Sequence, residues 1–169
     1  MGKAGSGKDT AAELLNCCGF YTVTLADNIR HEFVRSFPDL DPRLSRDKLI
    51  EMGQTYKRLY GADVWVRLLW KDIQKCRESG QKLFVVSDGR HQIEYDFFVA
   101  QKGFIPLRVD CPDEIRFQRL ITRDGTLQKE ALRKESQELW DANAYGLDNS
   151  GTLEQLGKNI SKFLKLMGR

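Results

Sequence analysis

A glycine-rich loop at the start of the chain limits what this sequence can fold into. Gly2, Gly7 and Lys8 stand at the G-x-x-x-x-G-K spacing of a phosphate-binding loop. Glycines let backbone N–H groups converge on phosphate oxygens, the lysine supplies charge for the outer phosphates, and the following helix offers its positive end. Residues 11–15 continue with helical spacing of apolar side chains, which favours this interpretation over a flexible leader.

Two features of the loop depart from the usual pattern. Asp9 stands where a serine or threonine normally contacts magnesium, and Thr10 follows one position later, so both are candidate metal ligands. A phosphate loop normally follows a buried strand of about five or six residues, whereas only Met1 precedes Gly2. We therefore expect the first strand to be missing or truncated here and the natural chain to begin upstream.

Size and composition narrow the class of protein. A length of 169 residues, with 41% apolar and 30% charged residues, predicts a single soluble α/β domain over 1–169. The net charge of +3 argues against nucleic acid as a partner and favours small anionic ligands. The four cysteines lack metal-ligand spacing, and no signal peptide or long apolar run is present, so we expect a cytoplasmic protein without a membrane partner.

Strand-like and helical segments alternate along the chain. The apolar and β-branched runs that predict strands lie at 21–25, 83–87, 104–109 and 144–147. Helical periodicity separates them, and such alternation favours parallel strands with right-handed crossovers. The arginine-rich helical stretch at about 26–70 is predicted to be an insertion that binds an acceptor, although a solvated helical face is the alternative.

One predicted helix, at about 112–122, has an apolar side and a basic side. Arg116, Arg119 and Arg123 lie three and four residues apart on the basic side. Like charges stacked in this way repel one another unless an anion or acidic side chains lie among them. Asp113 can pair with Arg116, whereas Arg119 and Arg123 have no comparable helical partner, so these two are the better candidates for binding phosphate.

Taken in order, a set of motifs resembles the nucleoside-monophosphate-kinase group of P-loop kinases. The motifs lie at 5–10, 26–27, 61–66, 85–90, 116–123 and 148–153. The pattern is most similar to deoxynucleoside monophosphate kinases, and phosphomevalonate kinase and dephospho-coenzyme A kinase share parts of it. The resemblance implies a three-layer P-loop NTPase fold with a parallel sheet of about five strands. It also implies the acceptor-binding insertion at about 26–70 and a lid at about 119–142.

The resemblance also implies roles for individual residues. Those that would bind ATP are Gly5, Ser6, Gly7, Lys8, Asp9 and Thr10, with Asn149 and Gly151 along the adenine. Those that would act in transfer are Lys8, Asp88, Arg119 and Arg123, and those that would reach Mg²⁺ are Asp9, Thr10 and Asp88. The acceptor would be bound by Asp27, Arg30, Arg58 and Arg90.

These features predict an ATP- and Mg²⁺-dependent kinase for a small phosphorylated acceptor, foremost a (deoxy)nucleoside monophosphate. Dephospho-coenzyme A and phosphomevalonate are alternative acceptors. A nucleotide-binding regulatory NTPase without a second substrate is a different class of function that shares the loop. We expect a monomer or a homodimer.

Overall fold

The computed structural model describes residues 1–125 and 144–168 of the chain. Its contacts divide the chain into two compact units. We call Met1–Phe20 with Arg90–Arg169 the phosphate-loop unit, and Tyr21–Gly89 the helical unit.

Helices and strands alternate as the sequence predicts. In chain order the elements are α1 (Lys8–Cys17), β1 (Tyr21–Val23), α2 (Leu25–Ser36), α3 (Arg46–Tyr60), α4 (Val64–Glu78), β2 (Phe84–Val86), α5 (Gln92–Tyr95), β3 (Leu107–Asp110), α6 (Asp113–Asp124), β4 (Tyr145–Asp148) and α7 (Leu153–Leu166). A 3₁₀ turn occupies Pro42–Leu44, and α5 continues into a π-helical stretch at Asp96–Gln101. No helix in the described part of the chain is long and apolar enough to cross a membrane.

The strands pair in parallel, as predicted, but within two small sheets. In the helical unit β1 pairs with β2, with Tyr21 opposite Phe84. In the phosphate-loop unit β3 pairs with β4, with Leu107 opposite Tyr145. The α/β class with parallel strands is therefore confirmed, whereas a sheet of about five strands is not observed among the described residues.

Two strand boundaries differ from the prediction for local reasons. The N–H of Phe104 donates to Phe98 O, at 2.8 Å, so it closes the preceding helical segment and β3 begins only at Leu107. Strand β1 ends at Val23 because Thr24 caps α2, its hydroxyl accepting from the N–H of Asp27 at 3.0 Å. In both places a hydrogen bond with the adjacent helical segment lies at the strand boundary.

The phosphate-loop unit has its core between β3, β4 and the helices α1 and α7. Met1 donates its amino group to Leu107 O at 2.6 Å and accepts from the N–H of Val109 at 2.9 Å, so β3 has partners on both edges. The buried apolar residues of α7 and β4 are Leu147, Leu156, Ile160 and Phe163. Strand β3, which leads into α6, is thus held beside Met1, which leads into the loop.

The helical unit has a core of its own. Helix α4 buries Val64, Trp65, Val66, Leu69 and Ile73. The indole N–H of Trp65 donates to Gly53 O at 3.1 Å, and its ring stacks on Tyr56 with centroids 4.9 Å apart. Trp65 is thus a core residue that ties α4 to α3.

Candidate functional site

The phosphate loop depends on glycines that no other residue could replace without strain. Gly5 and Gly7 have φ angles of 75° and 93°, in the left-handed region that L-residues avoid. A Cβ added to Gly7 would lie 2.1 Å from Asn149 Nδ2, and one added to Gly5 would lie 2.6 Å from Arg116 O. The glycines therefore provide both the turn and the close approach of neighbouring elements.

Lys8, the first residue of α1, holds its ammonium group against the loop. Lys8 Nζ donates to Gly2 O at 2.6 Å and to Lys3 O at 3.0 Å. The N–H of Ser6 also donates to Lys3 O, at 3.1 Å. Because these bonds hold the lysine and the loop backbone together, the positive charge stays at the loop, where an outer phosphate would bind.

The Ser6 hydroxyl has no hydrogen-bond partner. Ser6 is only 1% exposed, and its Oγ is the one buried side-chain nitrogen or oxygen in the described residues without a partner. A buried polar group without a partner costs free energy, so it marks a position for a polar ligand atom or a water molecule. Ser6 lines a cavity of about 520 Å³, together with Gly2, Lys3, Arg108, Val109, Asp110, Cys111, Pro112 and Asp148.

Asn149 is hydrogen-bonded to the backbone of the second half of the loop. It is 6% exposed, and its Nδ2 donates to Ser6 O at 2.7 Å. The guanidinium of Arg119 donates to Asn149 O at 3.1 Å and to Cys111 Sγ at 3.4 Å. The structure thus brings Asn149 and Arg119 to the loop, where they hold its backbone; their contacts with adenine and phosphate stay predictions.

Arg116 supports the first half of the loop, a role that sequence reasoning missed. Its Nε donates to Asp113 Oδ1 at 2.6 Å, the helical pair expected from their spacing. Its Nη1 also donates to Ala4 O at 3.1 Å. The i,i+3 carboxylate was visible in the sequence, but a contact between residues 112 positions apart had no local signal.

The contacts of Asp113 with Arg116 and Lys3 lower its pKa. The hydrogen bond from Arg116 lowers the pKa of the Asp113 carboxyl below its ordinary value, and the nearby charges of Arg116 and Lys3 act in the same direction. Lys3 Nζ lies 3.6 Å from Asp113 Oδ1. The carboxylate therefore stays ionised and links a loop lysine to α6.

Four of the predicted site residues belong to the helical unit. The two oxygens of Asp88 accept the N–H groups of Leu25 and Ala26, at 2.8 and 2.9 Å, so this carboxylate caps the start of α2. Asp27 and Arg30 form an ion pair at 2.7 Å on the surface of α2, and Arg58 is exposed on α3. Their predicted contacts with acceptor and magnesium remain untested predictions.

The other predicted residues lie in the phosphate-loop unit. The backbone N–H groups of Arg90 and His91 donate to the buried carboxylate of Glu94 at 2.5 and 2.9 Å, and the side chain of Arg90 is exposed. Arg123 is exposed near the end of α6, and positions 126–142 of the predicted lid lie outside the described residues. A Cβ on Gly151 would lie 1.8 Å from Gln155 Oε1, so Gly151 packs directly against the cap of α7.

The chemistry of the loop is compatible with magnesium bound through a nucleotide. Within residues 1–125 and 144–168, no group of three or more histidines, cysteines or carboxylates could hold a metal by itself. Mg²⁺ at phosphate sites needs only one or two protein oxygens, because phosphates and water complete its shell. Asp9, exposed in the first turn of α1, and Thr10 beside it would supply such oxygens, whereas Asp88 already binds two backbone N–H groups.

Comparisons with known proteins find distant relatives over nearly the whole chain. No protein-family model matches. UPF0200 proteins of Sulfurisphaera tokodaii and Methanosarcina mazei are 27% and 28% identical to it, covering 97% of this chain and 93% and 91% of theirs. A dephospho-CoA kinase of Corynebacterium jeikeium is 27% identical, covering 96% of this chain and 94% of its own.

A solved structure has the same fold. TT1252 from Thermus thermophilus superimposes with a TM-score of 0.60 and 25% sequence identity, over 97% of this chain and 93% of that one. The dephospho-CoA kinase relative suggests a kinase-like, nucleotide-binding function, and the solved neighbour, whose title states no activity, supports the fold. Together with the phosphate loop, they support a P-loop kinase-like family and no more specific group.

Proposed function

We propose that this protein transfers the γ-phosphoryl group of ATP to a small acceptor that already carries phosphate. The observation that carries the proposal is the phosphate loop itself. It presents a buried, unpartnered hydroxyl on Ser6 and a lysine, Lys8, held at the loop by two carbonyls. The dephospho-CoA kinase relative supports the kinase class.

In this proposal the loop is the donor half of the site. Phosphoryl transfer needs reactants held in line and positive charge on the phosphate oxygens, rather than covalent help from the protein. The loop N–H groups and Lys8 would bind the outer phosphates, and Arg119 and Arg123 would neutralise charge that develops on the transferred group. Asp9 or Thr10 would hold magnesium, which when bound would supply positive charge to the phosphate oxygens of the donor.

Candidate residues for binding the acceptor phosphate are Arg30 and Arg58 in the helical unit and, separately, Arg90 in the phosphate-loop unit. Arg30, Arg58 and Arg90 are exposed cations that suit an acceptor phosphate, since planar guanidinium groups match phosphate oxygens. A (deoxy)nucleoside monophosphate is the acceptor class favoured by the sequence resemblance. Dephospho-CoA is the second candidate, because a relative over almost the whole chain bears that substrate in its name.

A coupled assay of ADP release would test the proposal. Purified protein, ATP and Mg²⁺ are combined in turn with each nucleoside monophosphate, dephospho-CoA and phosphomevalonate, with Lys8→Ala as the inactive control. We expect one acceptor class to stimulate turnover well above the rate without acceptor. ATP binding without stimulation by any acceptor would instead favour a regulatory NTPase.

A further inference from the structure

We propose that Arg116 is a positioning residue that sets the conformation of the phosphate loop through the carbonyl of Ala4. This inference rests on the proposed function, because it assigns Arg116 a part in binding the donor nucleotide. It differs from the expectation for Arg119 and Arg123, which would contact phosphate. Arg116 would act on the loop and never touch the ligand.

The burial of Arg116 requires a specific role. The residue is 4% exposed, and a buried guanidinium is costly unless its charge and its N–H groups are satisfied. Its Nε reaches Asp113 at 2.6 Å, its Nη1 reaches Ala4 O at 3.1 Å, and its guanidinium carbon lies 4.5 Å from the centre of the Phe117 ring. The side chain is thus oriented by three different groups, one of which is the loop backbone.

The bond to Ala4 O controls the direction of a loop N–H group. A peptide unit is planar and trans, so its C=O and N–H groups point in opposite directions. Because Arg116 holds the oxygen of Ala4 toward α6, the N–H of Gly5 in the same peptide unit points away from α6. Converging N–H groups of this kind are what a phosphate loop uses to bind its anion.

The contact is reinforced on both sides of Ala4. On one side Lys3 pairs with Asp113, the carboxylate that also orients Arg116. On the other side Gly5 lies so close to α6 that a Cβ there would be 2.6 Å from the backbone oxygen of Arg116. Helix α6 therefore contacts residues 3–5 through the side chains of Asp113 and Arg116 and through its own backbone.

Direct measurement of ADP affinity would test the inference. The comparison uses full-length wild type, Arg116→Met, Arg116→Lys and the control Lys158→Met, which removes an exposed ion pair of the same unit. Methionine keeps the apolar stem on Phe117 but loses the donors. We expect the Kd for ADP to rise about 10- to 100-fold in Arg116→Met, the range for losing a hydrogen bond from a charged group.

Arg116→Lys should weaken ADP binding less than Arg116→Met does, because the lysine ammonium can still donate to Asp113 or to Ala4 O. It should still weaken binding relative to wild type, because one ammonium lacks the forked guanidinium donors that reach both acceptors. Where an acceptor is known, KM for ATP should rise while KM for the acceptor stays constant, a split that loss of folded protein would not produce. If Arg116→Met proves unfolded, the Arg116→Lys value decides the question.

Equal ADP affinity in wild type and a folded Arg116 variant would overturn the inference and leave the proposed transfer reaction standing. Conversely, weaker ADP binding in the variants, with no acceptor stimulating wild-type turnover, would support the inference and overturn the transfer reaction. Failure of wild type to bind ADP would overturn both.

Discussion

The basic side chains around the phosphate loop differ from those of the helical unit in how they are satisfied. Arg116 and Arg119 donate to backbone oxygens of Ala4 and Asn149, which are 112 and 30 positions away in sequence. In the helical unit several arginines pair with carboxylates two to four residues away, at positions open to water. These pairs are Arg30–Asp27, Arg35–Glu32, Arg43–Asp41 and Arg67–Asp63. Arg67 also donates to a backbone oxygen, that of Tyr60, but only seven residues away and at an exposed position.

This difference indicates separate uses for the same residue type. Long-range, part-buried contacts hold a loop in one conformation, and their loss leaves a backbone oxygen without its donor. Exposed local pairs contribute little to stability, so such an arginine can exchange its carboxylate for a ligand phosphate at small cost. Arg116 is therefore expected to be a structural support, Arg119 a support that also binds phosphate, and the exposed arginines of the helical unit to be exchangeable.

Lys8→Ala should have the largest effect. In the proposed reaction the Lys8 ammonium is a fixed positive charge beside the negative charge that develops on the transferred phosphoryl group. Its removal should lower kcat about 100- to 1000-fold, while Tm changes little. Steady-state kinetics and thermal melts of both proteins measure this, with the surface change Lys158→Ala as the control. Turnover close to wild type would exclude the loop from the active site.

Gly7→Ala should destabilise the loop by steric conflict. The alanine would need a φ near 93° and would place its Cβ 2.1 Å from Asn149 Nδ2. We expect the free energy of unfolding to fall by about 2–4 kcal/mol, together with weaker ADP binding.

Gly19→Ala is the matched control for this change. Gly19 has a similar φ of 88°, but nothing lies within 4 Å of its added Cβ, so it isolates the cost of backbone strain. Denaturant titration of both variants gives the comparison. Equal losses of stability would show that contact with Asn149 adds nothing to the constraint on the loop.

Asn149→Ala should cost less, because it removes one buried hydrogen bond. Ser6 O would lose the donor that lies 2.7 Å away, with an expected loss of about 1–3 kcal/mol in the free energy of unfolding. Asn159→Ala is a suitable control, since the Asn159 side chain makes a similar bond to Asp148 O at an exposed position. If Asn159→Ala proved equally destabilising by chemical denaturation, burial would not distinguish the two contacts.

Arg30→Ala should barely change stability. The pair with Asp27 has both side chains about half exposed, so its loss should alter the free energy of unfolding by less than about 0.5 kcal/mol. If Arg30 binds the acceptor, KM for the acceptor should rise while KM for ATP stays unchanged. A marked fall in Tm would place Arg30 with the structural arginines and remove the contrast between the two regions.

The smallest expected effect concerns pH. The hydrogen bond from Arg116 lowers the pKa of the Asp113 carboxyl in the folded protein. The ionised carboxylate therefore contributes its full stabilisation of the folded state at pH values above the ordinary unfolded pKa of about 3.9. That contribution is lost as the pH falls through the lowered value. Melts between pH 7 and pH 3 should therefore show wild type losing slightly more Tm than Asp113→Asn, and parallel curves would contradict this.

The sequence by itself determined the local features of this protein. Helical and strand periodicity repeats within a few residues, so α/β alternation and the core stripes of α4 and α7 could be predicted. The loop motif is also local, because Gly2, Gly7 and Lys8 lie within positions 2–8 and the backbone angles and hydrogen bonds of the loop are formed there. The i,i+3 pair of Arg116 with Asp113 belongs to the same class.

Only the tertiary structure decided which side chains hold the loop. Arg116 reaches Ala4 and Asn149 reaches Ser6 across 112 and 143 positions, and no pattern in the sequence relates residues so far apart. The same applies to Asp88, which appeared as a catalytic candidate at a strand end and whose carboxylate also caps α2. The physical reason is that a carboxylate or guanidinium can satisfy its hydrogen bonds with many partners, and folding selects among them by burial.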